Sequence, residues 1–344
     1  MKAVVIHEHG GPEVLRYEDV PDPTPGPGEA LIRVHAVSVN RTLDTEVRTG
    51  TYLPLRFPHV LGPDPAGEVV ALGEGATGVA VGDRVVPQPL VLCGDCPACR
   101  AGRELHCLRP GVFGVHRWGG DAQYATAPTR GLIRIPDGLT YQQASAIMIM
   151  FPTAWHLLAG RARVQPGETV LVMGAAGSLG LAGVQVAKYL GARVIAAAGA
   201  DWKLERVQAL GADAGVNYYA HKLSEEVLRL TDGLGADVVF ENISSRELFS
   251  ESMASLARGG RLVTCGTHGG GVVEIALRPF YVKQQSILGS AGATRAETEE
   301  VYRLIAAGHM QPIVEHVLPL EQAAAGHRLA ADRNSFGRVV LEVP

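Results

Sequence analysis

The sequence predicts an α/β chain of two domains. A small all-β domain is interrupted by a doubly wound parallel-sheet domain, and the last segment returns to the first. Three observations predict this. At 344 residues, 47% of them apolar, the chain can build two separate cores. Short strands broken by Pro and Gly fill residues 1 to about 130, whereas strands and helices alternate from Val164 to Ser290. Between Thr169 and Leu190 a β-branched apolar run, three glycines and an amphipathic helix follow one another.

In the first part the strand candidates are Lys2–Ile6, Glu29–Val37, Gly67–Leu72 and Asp83–Val86. Pro21-Asp-Pro23, Pro25-Gly-Pro27 and Gly73-Glu-Gly75 supply turns between them, as a barrel or sandwich requires. The apolar run Leu139–Leu158 reads as one core helix joining the domains; it is too short to span a bilayer and carries Pro152 and His156. Strands at Thr169–Met173, Arg193–Ala197, Ala236–Phe240, Arg261–Cys265 and Ser286–Leu288 alternate with helices such as Lys203–Leu210 and Ser224–Leu230. That rhythm implies a parallel sheet covered on both faces. A helix at Glu297–Gly308 and strands at Ile313–Leu318 and Gly337–Val343 return to the earlier style. The predicted domains are therefore 1–150 with 291–344, and 151–290.

The totals exclude several classes. Net charge is −4 and no basic tract occurs, which argues against a nucleic-acid surface. The start, Met1-Lys-Ala-Val-Val-Ile-His7, lacks the long apolar region of a secretory signal, so a soluble cytoplasmic protein without a membrane partner is expected.

Two patterns carry chemistry. The first is the turn Gly174-Ala-Ala-Gly177-Ser-Leu-Gly180. In a dinucleotide site the first glycine permits the tight turn, the second lets backbone approach a pyrophosphate, and the third lets the helix pack on the sheet. Gly174, Gly177, Ser178, Leu179 and Gly180 are thus candidate cofactor contacts; an ordinary strand-to-helix turn is the competing explanation. Asn242 and Gly266, at the ends of later strands, fall where strand C-termini meet a cofactor, and His268 is left open between site and surface. An NAD-selecting carboxylate would stand near Ala198, where there is none to repel a 2′-phosphate.

The second pattern is Cys93, Cys96, Cys99 and Cys107, four of five cysteines packed into fifteen residues. Three thiolates from a tight loop and a fourth close by can close a tetrahedron around Zn²⁺, leaving no open position, so this metal is expected to be structural. Disulfides or unliganded thiols are the alternatives. Cys265 reads as an inert core thiol.

Taken in order, Gly10-Gly-Pro-Glu-Val-Leu15, Val60-Leu-Gly-Pro-Asp-Pro-Ala-Gly67, the glycine turn and Phe336-Gly-Arg-Val-Val-Leu341 resemble the medium-chain dehydrogenase/reductase superfamily, leaning toward its quinone oxidoreductase-like branch. The resemblance implies a GroES-like β domain, a Rossmann domain, a nicotinamide bound between them, and a homodimer or a dimer of dimers. It also implies where a catalytic zinc would be held: a Cys where Asn40 or Arg41 stands, a His-Glu pair where Pro63-Asp64 stands, and a Cys or Asp near Ile149. Pro cannot ligate, so no catalytic zinc is expected. His59 and His156 have no second ligand at a useful spacing.

Without a Lewis acid to hold an alkoxide, reduction of an already polarised C=C bond in an enone, quinone or enoyl thioester becomes the expected reaction. The resemblance further suggests Tyr52 as donor of a hydrogen bond or proton and Asn40 as a hydrogen-bond partner of substrate or cofactor. Arg41, Asp44 and Asp64 are site candidates that could equally form a stiffening ion pair. Thr153 would contact the nicotinamide end, and Lys203 and Tyr218 the 2′-phosphate, with Arg206 adding positive charge. NADPH is therefore favoured over NADH, although Asp201 could select NAD. The competing functions are a zinc alcohol dehydrogenase and a nucleotide-binding sensor without turnover.

Overall fold

The computed structural model describes residues 1–344, which divide into two compact units, 1–149 with 294–344, and 150–293. No helix is long and apolar enough to cross a membrane.

In the first unit a seven-stranded sheet runs Leu132–Arg134, Arg84–Pro87, Asp64–Leu72, Glu29–Ser38, Arg338–Glu342 and Val314–Pro319, and Tyr124–Pro128 also pairs with Glu29–Ser38. Along Glu29–Ser38 the buried residues Ala30, Ile32 and Val34 alternate with more exposed ones, as a strand with one face on the core must. A register shift between Val34 and Ala36 breaks this alternation, and Ala36, Val37 and Ser38 are all buried. The strand therefore ends by carrying a hydroxyl, Ser38, into the interior. The returning Arg338–Glu342 strand pairs Val340 with Ser38, while Ser38 pairs on its other side with Asp64. Three distant parts of the chain meet there. Ile32, Val69, Val85, Phe113, Leu132, Val339 and Leu341 fill the core beneath.

The second unit holds a six-stranded parallel sheet in the order Ala214–Asn217, Arg193–Ala198, Thr169–Met173, Ala236–Glu241, Leu256–Thr264 and Ser286–Gly289. The central strands are buried along almost their whole length, the burial that helices on both faces impose. Strand order reverses between Thr169–Met173 and Ala236–Glu241, so the switch point of the sheet lies just beyond Met173 and Glu241.

The predicted Leu139–Leu158 helix is instead two, Tyr141–Ile147 and Met150–Trp155, separated by Met148 and by Ile149 at φ +61, after which His156–Ala162 winds as a wider π-helix. Pro152 explains the break. Its ring would strike the Met148 carbonyl in a continuous helix, and it has no N–H to return. The break coincides with the boundary between the units. The strand Ala214–Asn217 and the helices Leu43–Thr49, Arg246–Ala254 and Ala323–Ala331 have no counterpart in the predicted elements. The strand predicted to end at Cys265 ends at Thr264, leaving Cys265 half-buried at its exit.

Candidate functional site

The cysteine lobe is built by local geometry. Cys96 opens the short helix Pro97–Arg100, and its Sγ accepts the Cys99 N–H at 3.4 Å. The Cys107 Sγ accepts the Cys93 N–H at 3.5 Å. Such bonds orient the thiols inward and favour their thiolates. The Cys96 thiol is drawn down to about 6 by the N–H groups of Leu108 and Cys99, whereas burial pushes Cys99 up to about 12. The sulfurs of Cys93 and Cys107 are 3.5 Å apart, those of Cys93 and Cys99 3.8 Å, and all four lie within 4.8 Å of one another. Metal–sulfur bonds of about 2.3 Å in a tetrahedron require sulfur–sulfur edges of about 3.8 Å. The lobe fits zinc. It is fastened to the rest of its unit by the Glu104 carboxylate, which accepts the Arg295 N–H at 2.8 Å.

In the second unit the glycine turn fits a nicotinamide dinucleotide. Gly174 sits at φ +58, and a Cβ there would lie 2.8 Å from Asn242 Oδ1. A Cβ on Gly180 would lie 2.2 Å from the Gly174 carbonyl oxygen, which no rearrangement of a side chain relieves. The helix Ser178–Tyr189 starts at Gly177 without a side-chain cap, so its first N–H groups face a ligand position, as a pyrophosphate requires. Gly174, Asn242 and Gly266 come together across the three central strand ends; a Cβ on Gly266 would stand 2.3 Å from the Asn242 carbonyl oxygen. Gly177, Ser178, Leu179 and Gly180 form the turn itself. Thr153 is buried in the helix Met150–Trp155, which packs on the glycine-turn helix and sets Trp155 5.9 Å from Tyr189.

At the neighbouring strand end, Ala198 is buried and its carbonyl accepts the Tyr218 N–H at 3.2 Å. Tyr218 is half-buried, and burial pushes its phenol up to about 12. Asp201 is engaged by the Asn217 side-chain amide at 2.8 Å. Lys203 lies with its Nζ 5.3 Å above the Trp202 ring, and Arg206 is exposed.

The first unit contributes a buried polar network. The Asn40 N–H donates to Asp44 Oδ2 at 2.7 Å, Asn40 Oδ1 accepts the Leu43 N–H at 3.1 Å, and the Asn40 side chain also bonds Asp64. Asp44 Oδ1 accepts the Gly62 N–H at 3.3 Å. Arg338 donates to Asp64 Oδ2 at 2.5 Å and to Ser38 Oγ, and Ser145 Oγ donates to the Asp64 carbonyl at 2.8 Å. Burial pushes Asp44 up to about 7 and Asp64 to about 6, the latter despite the Arg338 guanidinium; Asp121, with no cation beside it, is pushed well above the carboxylate range. Near neutrality Asp64 is thus the ionised member, paired with Arg338. The ion pair considered for Asp64 forms with Arg338, while Arg41 is exposed. His59 is structural, its Nε2 3.0 Å from the Gly114 carbonyl oxygen. Tyr52 stands 43% exposed and is anchored through its backbone N–H to the Glu46 carbonyl.

Arg338, Ser38 and Ser145 were not among the predicted site residues. Arg338 lies 274 positions from Asp64, and only strand pairing joins them. The cysteine lobe is the one group of three or more Cys, His, Asp or Glu side chains close enough to share an ion.

The comparisons with known proteins agree with this geometry. Residues 26–137 match the alcohol dehydrogenase GroES-like domain and residues 178–307 the zinc-binding dehydrogenase domain. The chain is 32% identical over 342 residues to an acryloyl-coenzyme A reductase of Metallosphaera sedula, covering 99% of both chains. The chain belongs to the medium-chain dehydrogenase/reductase superfamily. It is also 31% identical to human quinone oxidoreductase, covering 99% of this chain and 97% of that one. A crystal structure of an NAD-dependent alcohol dehydrogenase superposes on the whole of both chains with a TM-score of 0.94 at 42% identity. The protein is therefore an oxidoreductase of a family that uses a nicotinamide cofactor.

Proposed function

We propose that this protein is an NADPH-preferring reductase of polarised C=C bonds, an enone, quinone or enoyl thioester, working without a catalytic metal. The observation that carries the proposal is the donor set at Asn40, Pro63, Asp64 and Ile149. An amide, a proline ring and an alkyl side chain cannot hold zinc, and the one carboxylate is already neutralised by Arg338.

A nicotinamide bound at the glycine turn would supply a hydride, and an acceptor able to pass its π electrons to its own carbonyl oxygen would take that hydride at the β carbon and a proton at the α carbon. The protein's part is placement and hydrogen bonding. An amide nitrogen carries two hydrogens. One hydrogen of Asn40 is taken by Asp64, and the other is offered to the acceptor's oxygen, with the amide held still by Leu43 and Asp64. Tyr52 is the proposed proton donor. NADPH preference is supported by the absence of a carboxylate at Ala198, by the cation of Lys203, and by the engagement of Asp201 with Asn217. Self-association as a dimer is supported by the exposed apolar residues Val272, Leu277, Tyr281 and Val282 beside the edge strand Ser286–Gly289.

The testing experiment is NADPH consumption across enones, quinones and enoyl-CoA esters, with Tyr52→Phe in parallel. Turnover with at least one class, lowered 10²-fold or more in the variant, is expected of a general acid. An undiminished Tyr52→Phe rate removes Tyr52 from the mechanism. Alcohol oxidation is the second reading, favoured by the similarity to the NAD-dependent alcohol dehydrogenase structure. Alcohol turnover in the absence of any alkene reduction would select it.

A further inference from the structure

Where the strand Arg193–Ala198 leaves the sheet, the next residue is a glycine that its own backbone does not require. Gly199 lies outside the left-handed region that favours glycine. The nearest atoms a Cβ there would meet belong to two tyrosines: Tyr219 Cε2 at 2.6 Å, Tyr219 Cδ2 at 2.9 Å and Tyr218 Cε2 at 3.4 Å. The missing Cβ is what lets the Tyr219 ring lie against the main chain at this strand end.

The two rings are placed differently. Tyr218 is half-buried and packs on the core of the second unit. Tyr219 is 76% exposed, yet it is held from three sides. Its ring rests on Gly199. It meets the Tyr218 ring in a T-shaped contact, with centroids 4.9 Å apart and planes at 79°. Its N–H donates to Asn217 Oδ1 at 3.1 Å, and the Asn217 amide donates in turn to Asp201 Oδ1 at 2.8 Å. A lone exposed tyrosine is ordinary at a protein surface. One seated on a glycine, braced by a second ring and pinned through its own main chain has lost its freedom before any ligand arrives. A ring so exposed still keeps at least one face in water.

Its place along the sheet decides what that face meets. A dinucleotide crosses the ends of such strands with its pyrophosphate on the glycine turn. Its nicotinamide end then lies toward Asn242 and Gly266, and its adenosine ribose lies at the end of the following strand, here Ala198. Tyr219 stands just beyond the next strand out, which pairs Asn217 with Ala198. We propose that Tyr219 is the platform on which the adenine of the coenzyme stacks, with Gly199 as its seat. Every base presents a π face to an aromatic ring, and ordering costs little where the ring is already held. This contact is independent of the 2′-phosphate, so it serves NADPH and NADH alike. The proposal rests on the reading that a nicotinamide coenzyme lies at these strand ends.

The experiment is fluorescence titration of the full chain with NADPH and with NADH. Tyr219→Ala is expected to bind both about tenfold more weakly, the worth of one stacked base, with Tm unchanged because the side chain is exposed. Tyr219→Phe, which keeps the π face and loses the hydroxyl, binds both within about twofold of native. Gly199→Ala pushes the ring off its seat and weakens both about fivefold. In the Tyr219→Ala background the same substitution adds nothing, since the two act through one contact. Native affinity in Tyr219→Ala overturns the proposal. So does a loss confined to NADPH, or a loss in Tyr219→Phe equal to that in Tyr219→Ala, either of which shifts the contact from the ring to the hydroxyl. Additive losses in the double variant overturn Gly199 as the seat. A native protein that binds neither nucleotide overturns the coenzyme reading and the proposal with it.

Discussion

Replacing Arg338 by Met tests whether the buried network is held by one cation. In the native protein the guanidinium is the charged partner of Asp64, and both side chains are almost fully shielded from solvent. Without it Asp64 keeps only Ser38, at 3.4 Å, and the Asn40 amide as donors, and its Oδ1 has no partner even in the native protein. Breaking a buried pair by removing one member costs about 3–5 kcal/mol. The pH dependence carries more information than the size. Native Asp64, pushed up to about 6, gives up its proton around pH 6 and is ionised by pH 8. In the variant the carboxyl must keep its proton across that interval while the unfolded chain gives it up. Each pH unit then costs about 1.4 kcal/mol, close to 3 kcal/mol over two units. The sign is that of a raised carboxyl: stability is full below the unfolded value and is lost as pH rises through the folded one. Urea unfolding of the first unit is followed by Trp118 fluorescence, with Trp155 and Trp202 replaced by Phe. The difference from native should be small at pH 5 and about 3–5 kcal/mol at pH 8. Arg338→Met with Asp64→Leu should recover most of it. A pH-independent cost, or one below about 1 kcal/mol at pH 8, would show that Arg338 does not hold Asp64 ionised.

Three further outcomes follow from the same geometry. Cys96→Ser should lower zinc content to well under one ion per chain and raise hydrogen exchange across the lobe 93–107, because four ligands close the tetrahedron and three do not; full zinc retention would contradict the Cys₄ assignment. Gly180→Ala places a methyl 2.2 Å from the Gly174 oxygen and should weaken NADPH binding at least tenfold, read by fluorescence titration, with unchanged affinity counting against the glycine turn as the pyrophosphate site. Lys203→Glu should reduce NADPH affinity about tenfold more than NADH affinity, a difference of about 1.4 kcal/mol; equal losses would release Lys203 from the 2′-phosphate.

What could be read from the sequence was local. Thr169 to Gly180 is contiguous, and its strand, turn and helix are each fixed by neighbours a few residues away. The cysteines lie within fifteen positions, so their spacing alone implied a common ion. Asn40 and Asp64 could be named as candidates, but not their anchor, because Arg338 reaches them only through the pairing of a strand some 300 residues later. The Leu139–Leu158 break turns on the carbonyl that Pro152 would strike, a clash that apolar periodicity does not register. Ala214–Asn217 is a short edge strand without a β-branched run, and the positive φ of Ser244 leaves no mark in residue type.

The most direct measurement pairs metal analysis with turnover on a single preparation. Zinc is counted per chain, and NADPH oxidation by an enoyl thioester is followed with and without added zinc. One ion per chain, held in the cysteine lobe, and a rate indifferent to further zinc are expected. Two ions per chain, with alcohol oxidation that vanishes when the second is stripped away, would overturn metal-free alkene reduction.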